Sequence, residues 1–263
     1  MDLQLTGKRA FISGSTQGIG YAVARTLAAE GASVVLHGRT PERVDAAVGR
    51  LRADGHAGDV SGVAGDVSDD DQVDRLLAAV GDIDVLVNNV GVFQLRAFAE
   101  TTDEDWRRIL DVNLMSAVRL SRQLLPGMLE RGWGRIVMVS SESGVDVPAD
   151  MIDYGVTKAG MLALANGLAK LTRGTQVTVN SVLGGPTYSD GVASAVRHVA
   201  ELQGLGEEDM KAAIAAGNTS SLVQRFLEPA ELASLVTYLA SPLASATNGG
   251  ALRADGGRLV QVL

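Results

Sequence analysis

Short apolar runs rich in β-branched residues alternate along the chain with longer segments whose apolar positions recur every three or four residues. The runs RAFIS (9–13), SVVLH (33–37), VSGVAGD (60–66), DVLVN (84–88), RIVMVS (135–140), VTVNSVL (177–183) and ALRADG (251–256) predict strands. Segments at about 19–30, 41–53, 69–79, 103–130, 153–172, 190–216 and 228–240 predict helices. Strands that are apolar on both faces need cover on both, so the alternation predicts an α/β fold. It is read as a doubly wound parallel sheet of about seven strands with helices on either side. No Pro- or Ser-rich linker and no internal repeat divides the 263 residues, so 1–263 is expected to be a single domain. Ligands in such folds bind beyond the carboxyl ends of the strands.

Composition narrows the chemistry. The chain is 46% apolar, 21% charged and carries a net charge of −8, with no cluster of Lys and Arg. A nucleic-acid partner is therefore not expected. With no cysteine there is no disulfide and no thiolate nucleophile. The three histidines, His37, His56 and His198, lack metal-ligand spacing, so no metal is expected. No apolar run reaches the ~18 residues of a membrane span, and the N-terminus lacks the features of a secretory signal. A cytoplasmic protein without a membrane partner is the expectation.

After the first predicted strand comes SGSTQGIG (13–20), in which Gly14, Gly18 and Gly20 are interleaved with Ser15, Thr16, Gln17 and Ile19 before a helix begins. Glycines there permit a tight turn and a close approach of backbone N–H groups to a pyrophosphate at the positive end of a helix. A glycine-rich turn without a ligand is the alternative, but the strand-turn-helix setting favours a nucleotide. The second strand ends VVLHGRT, with Gly38 where an NAD-type site carries an acid for the ribose 2′-hydroxyl. Arg39 follows, and a guanidinium can pair with a 2′-phosphate, which favours NADP(H) over NAD(H). Arg39 can instead stack on the adenine or face solvent.

The chain also carries NNVG (88–91) after the fourth strand, Asn113 on the next helix, Ser141 after the fifth strand and YGVTK (154–158) on the helix beyond it. In order and spacing these residues resemble the short-chain dehydrogenase/reductase family, from TGKRAFISGS to ALRADGG. The resemblance implies a Rossmann-like fold and hydride transfer between NAD(P)(H) and a secondary alcohol or ketone. It would make Tyr154 the general acid/base, Lys158 its electrostatic partner and ribose contact, Ser141 the carbonyl-polarising hydroxyl and Asn113 the anchor of a relay water. It points Asp66 and Val67 at the adenine, Asn89 and Gly91 at the adenosine half, and Thr187 at the nicotinamide carboxamide. It also suggests a homotetramer or dimer built on the 103–130 and 153–172 helices and the final segment GGRLVQVL.

Residues 154 and 158 lie one helical turn apart and share a face. A fixed ammonium beside a phenol is expected to lower the phenol's pKa from about 10. Taken singly, Asn113 can equally cap or kink its helix, and Ser141 can simply end a strand. Two departures from the family pattern are Gly184, where a proline is usual, and Val90 in NNVG; a freer loop is expected at Gly184. The long segment 188–225 is expected to form one or two helices over the substrate. Gln94, Glu142, Val145, Met151 and Tyr188 are candidates for lining the pocket. The alternative activity is 3-oxoacyl-[acyl-carrier-protein] reduction, although Gly132 and Thr175 stand where carrier-docking arginines are usual, with Arg131 and Arg173 close by. A non-catalytic nucleotide-binding sensor is the third reading.

Overall fold

The computed structural model describes residues 1–56, 58–218 and 220–260. Seven parallel strands, β1 (Arg9–Ile12), β2 (Ser33–Gly38), β3 (Val60–Ala64), β4 (Val85–Asn88), β5 (Trp133–Ser141), β6 (Gln176–Gly184) and β7 (Ala251–Ala254), form one sheet. Their spatial order is β3-β2-β1-β4-β5-β6-β7, so the winding reverses between β1 and β4. The crevice beyond their carboxyl ends is where such a sheet opens to ligands.

The sheet's two faces are read directly from strand alternation. Ala10 and Ile12, Val34 and Leu36, Val85 and Val87, and Val137 and Val139 face one core with helices α1 (Gly18–Ala29), α2 (Pro41–Ala53) and α9 (Pro229–Ala240). Phe11, Val35, Leu86, Ile136 and Met138 face the other, against α3 (Asp70–Val80), α5 (Ser116–Glu130) and α6 (Ile152–Leu171). Burying one Leu or Phe in this way stabilises the fold by roughly 1.5–3 kcal/mol, and the apolar run of each strand supplies several.

Two predicted helices are interrupted. The expected helix over 103–130 consists of α4 (Asp103–Leu110), a π-helical turn (Asp111–Met115) and α5. The π turn adds a residue to the helical register, and Asn113 sits buried inside it. The expected helix over 190–216 divides into α7 (Asp190–Gln203) and α8 (Glu207–Gly217). Gly204 takes a left-handed conformation (φ 66°) and stops α7, its N–H returning to Ala200 and Glu201. Val196, Ala200 and Met210 give these two helices a small core of their own beside the main one. No helix among the described residues is long and apolar enough to cross a membrane.

Candidate functional site

The turn after β1 is held by side chains from the neighbouring strands. Ser15 donates to Ile12 O (2.7 Å) and accepts from the His37 N–H (2.9 Å). His37 Nδ1 accepts from the Gly14 N–H (3.0 Å), so Nε2 carries the proton and donates to Gly65 O (2.9 Å). Burial lowers the histidine's pKa and keeps the ring in this neutral form. His37 gave no motif signal in the sequence; its role becomes visible only when β1, β2 and β3 lie side by side. From β4, Asn89 Nδ2 donates to Ser13 O (3.0 Å) and Gly14 O (2.9 Å), closing the turn from the other side.

Gly14 (φ 65°) and Gly18 (φ 59°) need the left-handed region. Gly20 needs space instead: a Cβ there would lie 2.5 Å from both Asn89 Nδ2 and Gly14 O. The first turn of α1 can therefore press against β4, and the Gly18 N–H at its start donates to the Asp190 carboxylate (2.6 Å) from the first residue of α7. Ile19 lies at the mouth of this turn. Thr16 and Gln17 line an adjoining depression with Arg43 and Arg50. A Cβ at Gly38 would come within 2.6 Å of Thr16 Cγ2, and Arg39 beside it is exposed. Asp66, at the end of β3, would be raised by its partial burial. The Ser68 hydroxyl (2.6 Å) and N–H (2.9 Å), with Arg39 nearby, hold it below the usual range instead. Val67 is buried in the sheet's second core rather than in the crevice.

Beyond β4, β5 and β6 the remaining predicted residues converge. Asn113 uses both ends of its amide to grip Val92, accepting from its N–H (2.8 Å) and donating to its carbonyl (2.9 Å). It also donates to Thr157 Oγ1 (3.1 Å). The π turn thus aims Asn113 at the loop that follows Gly91, tying the two segments together. A Cβ at Gly91 would stand 3.4 Å from Lys158 Nζ, in ordinary contact, so Gly91 lies directly beside the ammonium.

Ser141 ends β5, and its hydroxyl donates to Glu142 Oε2 (2.6 Å) while lying against the Tyr154 phenol. Tyr154 also meets the edge of Phe93 with ring centroids 6.0 Å apart. Lys158 Nζ donates to Val139 O (2.8 Å) and stands 5.5 Å from the centre of the Tyr154 ring. Thr187 is buried, and its hydroxyl donates to Gly185 O (2.8 Å).

The electrostatics differ from the expectation for the pair. Burial pushes the Tyr154 phenol up to about 12, with the Glu142 carboxyl adding to the rise. Burial likewise brings Lys158 down to about 8. Desolvation dominates both shifts, and the hydrogen bond from Ser141 does not offset it at the phenol. The phenol therefore stays protonated through the neutral range, and the ammonium is the group that titrates near it.

Ser141, Glu142, Tyr154, Lys158, Gly91 and Thr187 line a single chamber of about 440 Å³ that also reaches Ile19 and Asn89. Of the five pocket candidates, Glu142 and Met151 line it. Gln94 does not: its amide oxygen accepts from Arg96 (3.1 Å) and the residue lines a separate depression with Asp105 and Arg108. Val145 lies outside it and is 45% exposed. Tyr188 turns away to pack edge-on against Phe226 (5.5 Å) and to donate to Glu207. Nearness in sequence to a catalytic position does not fix the side on which a loop residue emerges. The wall is instead completed by Phe93, Leu95, Ile214 and Phe226, with Val192, Val196 and Val199 from one stripe of α7. That stripe's spacing was a readable signal, since it repeats every three to four residues.

Gly184 carries no left-handed φ and ends β6; a Cβ there would lie 2.5 Å from Leu232 Cδ2, so that side chain of α9 would have to shift to admit one.

A nucleotide cofactor fits this crevice: the Asp190 carboxylate accepts from the Gly18 N–H (2.6 Å), the place where a phosphate would replace it, and the chamber continues to Lys158 and Tyr154. The profile of the short chain dehydrogenase family matches residues 8–200. The uncharacterized oxidoreductase YvrD of Bacillus subtilis (strain 168) is 44% identical over 261 residues, covering 98% of both chains. Among solved structures, L-sorbose reductase from Gluconobacter frateurii complexed with NADPH and L-sorbose superposes with a TM-score of 0.94. It is 32% identical and covers 100% of both chains. A variant of actinorhodin polyketide ketoreductase with NADPH gives a TM-score of 0.88 at 33% identity, covering 95% of this chain and 97% of the other.

Proposed function

The chain belongs to the short-chain dehydrogenase/reductase family and is an NAD(P)-dependent oxidoreductase of carbonyl and alcohol substrates, and from that premise we propose that it reduces ketones with NADPH. One observation carries this reading: Ser141, Tyr154 and Lys158 meet in a chamber continuous with the glycine turn. The bound cofactor supplies the hydride. Tyr154 gives its phenolic proton to the substrate oxygen, and the phenol is protonated at neutral pH, which suits reduction. Ser141 turns its hydroxyl to that oxygen and stabilises the charge developing on it. Lys158 holds the nicotinamide ribose and offsets negative charge on Tyr154, and Asn113 fixes the loop at Val92 beside them. Gly14 to Gly20, Asn89 and Gly91 receive the adenosine diphosphate half, Asp66 and the main chain of Val67, whose side chain packs in the second core, border the adenine, and Thr187 meets the carboxamide.

NADPH is favoured over NADH because Gly38 leaves no acid to hold a ribose 2′-hydroxyl or repel a 2′-phosphate, and the exposed Arg39 beside it can meet that phosphate. Around the adjoining depression Arg25, Arg43 and Arg50 outnumber Asp190 and Glu228. Arg39→Asp is expected to raise the Kd for NADPH by about 10- to 100-fold and that for NADH by less than about threefold. Fluorescence titration of both cofactors checks this, and equal losses would remove the preference.

Residues 1–263 act as one nucleotide-binding domain, in which α7 and α8 within 188–225 cover the substrate. A homo-oligomer, dimer or tetramer, is built on α4, α5 and α6; the last three residues of GGRLVQVL lie outside the described residues.

The likeness to a polyketide ketoreductase favours 3-oxoacyl thioesters as the second reading. Against it, Arg131 is already engaged with Asp82 (3.1 Å) and Ile83 O (2.7 Å). Loss of NADPH absorbance is expected with purified protein and a panel of small ketones. Turnover confined to a 3-oxoacyl thioester would transfer the assignment, and cofactor binding without any turnover would favour a sensor.

A further inference from the structure

One polar wall group of the chamber has no part in the reaction described above. Glu142 follows β5 as the first residue of a short 3₁₀ turn (Glu142–Gly144) and is only 9% exposed. It faces the same space as Ser141, Met151 and Tyr154, and much of the facing wall is apolar: Phe93, Leu95, Ile214 and Phe226. Burying a carboxyl in such surroundings is costly unless a cation or donor groups meet it. Among the described residues no ion pair reaches Glu142; the nearby guanidinium of Arg258 pairs with Asp146 (3.5 Å) and donates to Ser220. What meets Glu142 is the hydroxyl of Ser141, 2.6 Å from Oε2. That same hydroxyl has to turn to the substrate oxygen during reduction, and when it does, Glu142 loses its one side-chain donor and keeps only the N–H groups of Glu142 and Ser143 beside it.

We propose that Glu142 is a specificity-determining residue that accepts a hydrogen bond from a hydroxyl on the carbon next to the reacting carbonyl, so that the preferred substrates are α-hydroxyketones. The inference rests on the reading of the chamber as a ketone-reducing site. Two oxygens on neighbouring carbons lie about one hydrogen-bond length apart, which matches the separation of Ser141 Oγ and Glu142 Oε2. Ser141 then donates to the carbonyl oxygen while the adjacent substrate hydroxyl replaces Ser141 as the donor to Glu142. The reaction balances as a two-electron reduction: a hydride from NADPH joins the carbonyl carbon, the Tyr154 proton joins the oxygen, and a vicinal diol and NADP⁺ result. The same carboxyl repels a carboxylate at that position, so 2-oxo acids are excluded from a chamber their apolar tails would otherwise fit.

The test compares NADPH-dependent kcat/KM for 1-hydroxyhexan-2-one, hexan-2-one and 2-oxohexanoate. The wild-type protein is expected to prefer the hydroxyketone to the plain ketone by at least about 10-fold and to turn over the oxo acid least. Glu142→Leu is expected to bring the hydroxyketone-to-ketone ratio down to about 1. Glu142→Gln keeps the shape of the side chain and guards against a variant that does not fold. In it the oxo acid is expected to gain at least about 10-fold relative to the plain ketone. A residue that merely fixed Ser141 would slow both ketones equally and leave the ratio unchanged, and that result overturns the proposal. A wild-type protein that reduces the plain ketone as well as the hydroxyketone also overturns it, while leaving the ketone-reducing reading intact. Failure with all three substrates instead removes the underlying reading.

Discussion

Tyr154→Phe is expected to lower kcat/KM for carbonyl reduction by about 10³-fold or more while changing the Kd for NADPH by less than about threefold. The substitution removes one oxygen and its proton. The ring that meets Phe93 remains, and Lys158 keeps its bond to Val139 O, so the chamber retains its shape. No neighbouring group can replace the lost acid easily. The proton of Ser141 is directed at Glu142, and Glu142 has none to give in its ionised form. Because burial holds the phenol near 12, the wild-type acid is fully protonated at pH 7, and the whole of its contribution is lost in the variant. Steady-state rates together with fluorescence titration of the cofactor separate the two effects. Residual activity above about a tenth of wild type would take Tyr154 out of the proton path.

Lys158→Met should move activity and stability in opposite directions. The ammonium is buried and its pKa falls to about 8 because of that burial, so the folded protein binds this proton more weakly than the unfolded chain does. The charge therefore destabilises the fold, fully below about pH 8 and progressively less as the pH rises from there towards the ordinary lysine value of 10.5. Methionine fills nearly the same space without a charge. At pH 7 the variant is expected to be more stable by about 1 kcal/mol or more, seen as a rise in Tm of about 2–4 °C.

Activity should fall all the same, by about 10²-fold or more, since the cation no longer faces the ribose and the developing phenolate. The pH profile carries a separate mark. Wild-type kcat/KM for reduction is expected to decline as pH rises through about 8, where Lys158 loses its proton, and this limb should be missing in the variant. A more stable, less active protein is the expected outcome of a group retained for function. Thermal melts and rates measured on the same preparation decide it: a variant with lower Tm would assign Lys158 a structural role instead.

The strands were legible because each is encoded within its own few residues. Val34, Val35 and Leu36 are all apolar, which only a strand covered on both sides can use, and the structure sends Val35 to one core and its neighbours to the other. Gly14, Gly18 and Gly20 could be read for the same reason, since their backbone needs belong to a local turn. One or two helices were both open over 188–225, and the place of the break at Gly204 was not marked because apolar residues keep a helical spacing on either side of it. The π turn at Asn113 was concealed because it preserves a helical appearance while shifting the register by one residue.

What the sequence determined by itself is thus the set of elements, the glycine turn and the order of Asn113, Ser141, Tyr154 and Lys158 along them. Hydrophobic period and motif spacing are properties of neighbouring residues, and they survive without the rest of the fold. Only the tertiary structure placed His37 under Gly14, turned Gln94 and Tyr188 away from the chamber, and set Glu142 against Ser141. It also reversed the expected shift of Tyr154. Each of these depends on how much water the assembled elements exclude and on which groups they bring face to face. Desolvation and orientation are settled by residues far apart in the chain, so no local pattern records them.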